Sequence, residues 1–153
     1  MRSIYLASPL GFSPEKRPYL DKIKQALVSQ GLEVFCPWEQ TEFNNAIDQA
    51  HTIADHDERV GTFWQIASGI GEINENGIRS CDMLLAVLDG AEVDSGTASE
   101  LGFASALGKT CYGLRTDMRN CGDFVGLPIN LQLMRWIERS SGKLFRSIEE
   151  IKL

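Results

Sequence analysis

The sequence predicts a single α/β domain built on a parallel sheet with helices on both faces. Three observations predict it. The chain of 153 residues is long enough to close one apolar core, so residues 1–153 are read as one domain. Short apolar runs alternate with stretches of helical periodicity. The links between them are short, as when parallel strands and crossover helices follow one another.

Ile4-Tyr5-Leu6-Ala7 is a short apolar run ending in Ser8-Pro9-Leu10-Gly11, the pattern of a buried strand entering a loop. Ser13-Pro14-Glu15 reads as a cap with proline at the first helical position, and Leu20, Ile23 and Leu27 keep helical spacing until Gly31. Leu32 to Phe35 is a second strand, closed by Cys36-Pro37 because proline cannot continue a central ladder. Glu39 to Gly61 is polar, carries both histidines and reads as an active-site loop leading into irregular helix. Phe63, Ile66, Ile70, Ile73 and Ile78 mark a helix despite Gly69 and Gly71. Met83 to Leu88 is the clearest buried strand and ends at Asp89-Gly90. Thr97 to Leu107 is a small-residue helix stopped by Gly108, and Thr110 to Leu114 is the next strand. A Pro128-started segment runs through Trp136, and a short terminal helix is expected around Ser147 to Ile151. The alternation suits a five-stranded parallel sheet of flavodoxin-like or Rossmann-like type, whose ligands bind at the carboxyl ends of the strands. The loops after Ala7, Phe35 and Leu88 are the places to expect a site.

Composition narrows the partners. A content of 43% hydrophobic and 24% charged residues is that of a globular domain rather than a disordered or low-complexity chain. The net charge of -6 argues against a nucleic-acid polymer, which is gripped by clustered Lys and Arg. Cys36, Cys81, Cys111 and Cys121 are too widely spaced for a metal-binding or redox pair and read as free thiols. No apolar stretch is long enough to span a bilayer and the amino terminus does not read as a signal peptide, so neither a membrane nor export is expected, and the cytoplasm is. A neutral or weakly charged small molecule suits this chain better, with no metal and no cofactor.

The informative segment is Leu88-Asp89-Gly90-Ala91-Glu92-Val93-Asp94-Ser95-Gly96-Thr97-Ala98-Ser99-Glu100-Leu101-Gly102. It starts at the end of a buried strand and finishes inside a helix, with Asp94 before that helix and Glu100 about one turn into it. Asp94 suits an N-terminal cap. Glu100 lies among Ala98, Leu101, Gly102 and Phe103, and a carboxylate in apolar surroundings is costly unless it has a task or a partner. By itself Tyr5 reads as a core aromatic with a wet tip. Phe12 and Trp38 stand on two site-facing loops, where they pack the loop or sandwich a planar base, and Gln40 can reach a base edge. His51 and His56, without a paired carboxylate or cysteine, read as solvated.

Taken in order, Ile4-Tyr5-Leu6-Ala7-Ser8-Pro9 with Gly11-Phe12-Ser13, Cys81-Asp82, Asp94-x-Gly-Thr-x-x-Glu100-Leu-Gly and Leu127-Pro128-Ile129-Asn130-Leu131 resemble the nucleoside 2-deoxyribosyltransferase family over nearly the whole chain. The resemblance implies retaining transfer of a deoxyribosyl group between nucleobases by double displacement. It puts Glu100 at the nucleophile, Tyr5 at the tyrosine that holds it and Asp94 at the carboxylate that grips sugar hydroxyls. It puts Asn130 at a residue that reaches the site from a neighbouring subunit, which implies a homo-oligomer, either a dimer or a trimer of dimers, with a shared active site. The implied substrates are a deoxynucleoside and a free nucleobase.

One position departs from the pattern. Several family members carry Asp eight residues before the Asp of the Cys-Asp pair, whereas this chain has Asn74. An amide hydrogen-bonds a leaving base but cannot protonate it, which leaves that proton to water, Asp94 or an acid such as Asp48 or Asp57. Relatives with Asn here include some that prefer purines, whose N7 accepts a proton, so purine deoxynucleosides are favoured. The alternatives are an N-glycosidase of 2'-deoxynucleoside 5'-monophosphates and a catalytically inactive nucleoside-binding module. The first needs a phosphate cradle, and Ser8-Pro9-Leu10-Gly11-Phe12 is bulky and has no Arg before Arg17. The second has no need of a buried nucleophile.

Overall fold

Alternation along the first strand sets the layers of the molecule. In the computed structural model, which describes residues 1–153, Ile4 and Leu6 of β1 (Ser3–Ala7) face one layer while Tyr5 and Ala7 face the other. The first layer is closed by α1 (Arg17–Val28) through Leu20, Ile23 and Leu27, and by Ile148 and Ile151 near the carboxyl terminus. Three helices close the second: α3 (His56–Ser80) brings Ile78, α4 (Ser95–Ala106) brings Leu101 and Ala104, and α5 (Leu131–Arg139) brings Leu133 and Ile137.

Between the layers lie β1, β2 (Glu33–Phe35), β3 (Met83–Val87), β4 (Thr110–Leu114) and β5 (Leu144–Phe145), all parallel, in the order β2-β1-β3-β4-β5. This is the flavodoxin-type order, and the chain reverses direction of travel across the sheet between β1 and β3. Tyr5 pairs with Leu84, and Ala7 with Ala86, so the two strands end side by side and their loops open a crevice. Every residue of β3 is buried, as a strand covered on both faces requires.

The expected architecture stands, with four corrections to its elements. The polar stretch from Glu39 to Gly61 is mostly ordered helix: α2 (Asn44–His51), then the start of α3 at His56. The Asp55 side chain caps α3 by accepting from the Glu58 amide at 2.8 Å, and Asp57 and Glu58 complement the helix dipole. The first helix begins later than Ser13-Pro14 suggests, because Pro14–Lys16 forms a separate 3-10 turn. The fifth strand is only Leu144–Phe145, in a stretch where the pattern suggests no strand. The expected terminal helix is the single 3-10 turn Ile148–Glu150. No helix is long and apolar enough to cross a membrane.

Candidate active site

The loops after β1, β2 and β3 converge at the crevice. Ser8 and Phe12 come from the first, Pro37 and Trp38 from the second and Asp94 from the third, while Ile70 and Asn74 of α3 and Gly96, Thr97 and Glu100 of α4 complete a cavity of ≈ 320 Å³. That is within the range of small-molecule sites. A second hollow of ≈ 380 Å³ lies on the other side of Glu100 and shares Asn74 and Gly96 with the first.

Glu100 is the carboxylate common to both hollows. The Tyr5 hydroxyl donates to its Oε1 at 2.6 Å across 95 residues of chain, and Oε2 has no hydrogen-bond partner. Tyr5 is fixed in turn by complete burial and by stacking on Phe35 at 5.4 Å. Burial raises the Glu100 carboxyl above the ordinary glutamate range, the Tyr5 hydrogen bond opposes that rise, and the charge of Asp94 adds to it. Burial, with Glu100 beside it, holds the Tyr5 phenol far above its usual value, so Tyr5 remains a donor. One carboxylate oxygen is thereby anchored while the other is available to an electrophile.

Asp94 is both cap and cavity wall. Its Oδ2 accepts from the Thr97 amide at 2.8 Å and from the Thr97 hydroxyl at 3.0 Å, which fixes the first turn of α4 and hence the direction of Glu100. Gly96 lies against the same carboxylate. Asn74 stands on α3 opposite Glu100 and lines both hollows.

The aromatic wall corrects one expectation. Phe12 and Trp38 meet edge to face, centroids 4.5 Å apart at 78°, and the Trp38 Nε1 donates to the Ser8 carbonyl at 2.7 Å. Two rings this close leave no room for a planar base between them, so they cannot sandwich one and instead form a single wall. Gln40 stands outside the cavity: its Nε2 donates to the Cys36 carbonyl at 3.1 Å, and it lines a neighbouring hollow beyond Trp38. Asn130 is also outside its own chain's Glu100 cavity. It caps α5 by accepting from the Gln132 amide at 2.9 Å, donates to Asp123 at 3.3 Å and borders a separate hollow with Val93 and Ala98.

Asp48, Asp57 and the two histidines line neither hollow beside Glu100. An acid the sequence pattern did not single out does: Glu75 borders the second hollow, held by Arg79 at 2.7 Å. Ser8, Pro37 and Ile70 are further lining residues that carried no signal of their own, whereas Gly96 and Thr97 belong to the segment around Glu100. No cluster of metal-ligating side chains is present.

Comparison with known proteins bears on the fold and the family. No curated protein matches the chain. Among solved structures, a conserved protein from Enterococcus faecalis V583 shares its fold over 98% of this chain and 94% of its own, at 23% identity and a TM-score of 0.68. A 2-deoxyribosyltransferase from the psychrotolerant bacterium Bacillus psychrosaccharolyticus is 26% identical, covers 97% of this chain and 88% of its own, and has a TM-score of 0.59. A CMP N-glycosidase from Clostridium botulinum has the same fold at 16% identity and a TM-score of 0.55, covering 97% and 94%. The profile of the nucleoside 2-deoxyribosyltransferases matches residues 4–132, from the first strand to the start of α5, and the chain therefore belongs to the nucleoside 2-deoxyribosyltransferase family.

Proposed function

We propose that the protein is a nucleoside 2'-deoxyribosyltransferase that moves a deoxyribosyl group between nucleobases through a covalent bond to Glu100, with purines preferred. The observation that carries this reading is the Tyr5–Glu100 hydrogen bond at the wall of a nucleoside-sized cavity. In the first half-reaction, Glu100 Oε2 bonds to the anomeric carbon while the bond from that carbon to the base nitrogen breaks. The electron pair leaves with the base, which takes up a proton. In the second half-reaction the nitrogen of an incoming base bonds to the anomeric carbon on the face the first base left, and the bond to the Glu100 oxygen breaks with its electron pair returning to the carboxylate. The new base gives up its ring N–H proton to solvent, and overall configuration is retained. The anionic carboxylate also stabilises the oxocarbenium-like charge between these states.

Asp94, with Oδ1 free of the cap, is placed to accept hydrogen bonds from sugar hydroxyls. Asn74 faces the site as an amide, so it orients the leaving base without protonating it, which favours purines protonated at N7. No Lys or Arg lines either hollow beside Glu100, and both Asp94 and Glu100 do; this disfavours a 5'-monophosphate substrate. The loop carrying Asn130 exposes Phe124 and Val125 beyond what a solitary surface needs, which supports an oligomer in which that loop meets a neighbouring subunit.

The test is incubation with deoxyinosine and adenine, with products resolved by chromatography. Deoxyadenosine should form in the wild type, and Glu100→Ala should lower its rate on the order of 10³-fold or more. Deoxyinosine 5'-monophosphate should react far more slowly than deoxyinosine. Free deoxyribose without transfer, or preference for the monophosphate, would move the protein to the N-glycosidases.

A further inference from the structure

Arg115 follows β4 immediately and is completely buried, yet it forms no ion pair. Its guanidinium is spent on main-chain carbonyls: Nη1 donates to Leu88 at 2.5 Å and to Gly90 at 2.9 Å, and Nη2 donates to Arg119 at 3.0 Å. Its Nε has no partner at all. Asp117 acts on it only at longer range, and a buried cation with no carboxylate in contact is a poor way to gain stability, since an apolar side chain of similar volume avoids the desolvation. What it does gain is geometry, because a planar fork fixes several acceptors at once.

The three carbonyls belong to two loops. Leu88 and Gly90 bracket the turn that leaves β3 and runs to Asp94, the cap of α4. Gly90 holds a φ of +111° there. Arg119 opens the loop that runs to Asn130, the cap of α5, and that loop is closed on itself by the Cys121 amide to the Pro128 carbonyl and the Gly122 amide to the Leu127 carbonyl. Asp89 reinforces the joint from the other direction, its carboxylate accepting from the amides of Thr116 at 2.6 Å and Asp117 at 2.7 Å.

We infer that Arg115 is a positioning residue that locks the Asp94 loop and the Asn130 loop into one rigid unit, so that the two cannot loosen independently. It touches neither cavity beside Glu100 and acts only through the main chain it holds. This inference rests on the transfer reading only for its catalytic consequence. In that reading, loss of Arg115 lets Asp94 and the first turn of α4 drift relative to Tyr5, so the Glu100 oxygen is misaimed during the chemical step.

The experiment compares wild type with R115M and R115K by hydrogen–deuterium exchange and by steady-state transfer from deoxyinosine to adenine. In R115M, amides in 88–97 and in 116–131 should lose protection together by about tenfold, while those of α1 and β1 keep theirs. R115K retains the charge and some of the donors and should restore part of that protection. If R115M does not fold, R115K is read alone, with smaller losses expected in the same two segments. Transfer by R115M should fall in kcat by 10- to 100-fold with KM for deoxyinosine changed less than threefold, and R115K should recover part of kcat. Loosening of one loop without the other, protection lost evenly over the whole chain, or a loss confined to KM would overturn the inference. A wild type that exchanges as described but transfers nothing would sink the transferase reading and leave the exchange result to decide the role of Arg115.

Discussion

The ionised Glu100 carboxylate is held at a cost in stability. Its carboxyl binds a proton more tightly folded than unfolded, because burial and Asp94 both disfavour the charged form. The folded state is therefore favoured while that proton is bound and loses stability as pH rises from the ordinary carboxylate range through the raised value. Glu100→Gln keeps the shape and an oxygen for the Tyr5 hydroxyl but has no charge to bury. Thermal unfolding from pH 4 to pH 8 should place the variant above wild type at pH 8, by about 2–4 °C for each kcal/mol relieved in a chain of this size. The gap should close towards pH 4, and a gap that is constant or widens in acid would contradict the assigned burial. The neighbourhood of Glu100 was legible in the sequence because a carboxylate among Ala98, Leu101, Gly102 and Phe103 is conspicuous. Its contact with Tyr5 was not legible from spacing, since nothing local links two residues 95 positions apart. Arg115 gave no signal either, being one Arg after a strand.

At the scale of elements, the loop after β1 depends on one glycine. Gly11 sits under the Trp38 indole so closely that a Cβ there would overlap the ring. Gly11→Ala should push Trp38 aside, break its bond to the Ser8 carbonyl and remove the wall it forms with Phe12. A buried hydrogen bond contributes about 0.5–1.5 kcal/mol, so KM for deoxyinosine should rise several-fold to tenfold with kcat changed much less. An unchanged KM would show that this wall does not contact the nucleoside. β1 and β3 were readable because each is an apolar run ending at turn residues, Ser8-Pro9 and Asp89-Gly90. The stretch from Glu39 to Gly61 was not: the apolar stripe of α2, Ala46, Ile47 and Ala50, is about one turn long and set among polar residues, too short to stand out. The two-residue β5 is too short for any alternation, and its pairing with β4 alone decides it.

At the scale of the whole molecule, Asn130 tests whether the site is shared between subunits. Within its own chain it caps α5 and does not line the Glu100 cavity, so direct contact between Asn130 and the substrate would need another copy of the chain. Glu100→Ala and Asn130→Ala, each inactive alone, should recover activity when refolded together. Random pairing in an isologous dimer makes half the dimers mixed with one complete site in each, or about a quarter of wild-type activity. Mixed oligomers without recovery would confine Asn130 to capping.

The parallel β1–β3 pairing also carries a cost in time. Ser3 is bonded to Asp82, 79 residues later, and β1 lies between β2 and β3 and pairs with both. At synthesis rates of about 5–20 residues per second, β1 waits roughly 4–16 s on the ribosome before β3 exists to cover its open edge. During that interval β2 pairs one edge of β1 and α1 covers Ile4 and Leu6, but the edge that β3 will take stays open. The strand that supplies Tyr5 thus keeps one edge open until β3 emerges, and newly made chains stalled between β1 and β3 offer that edge to a second chain.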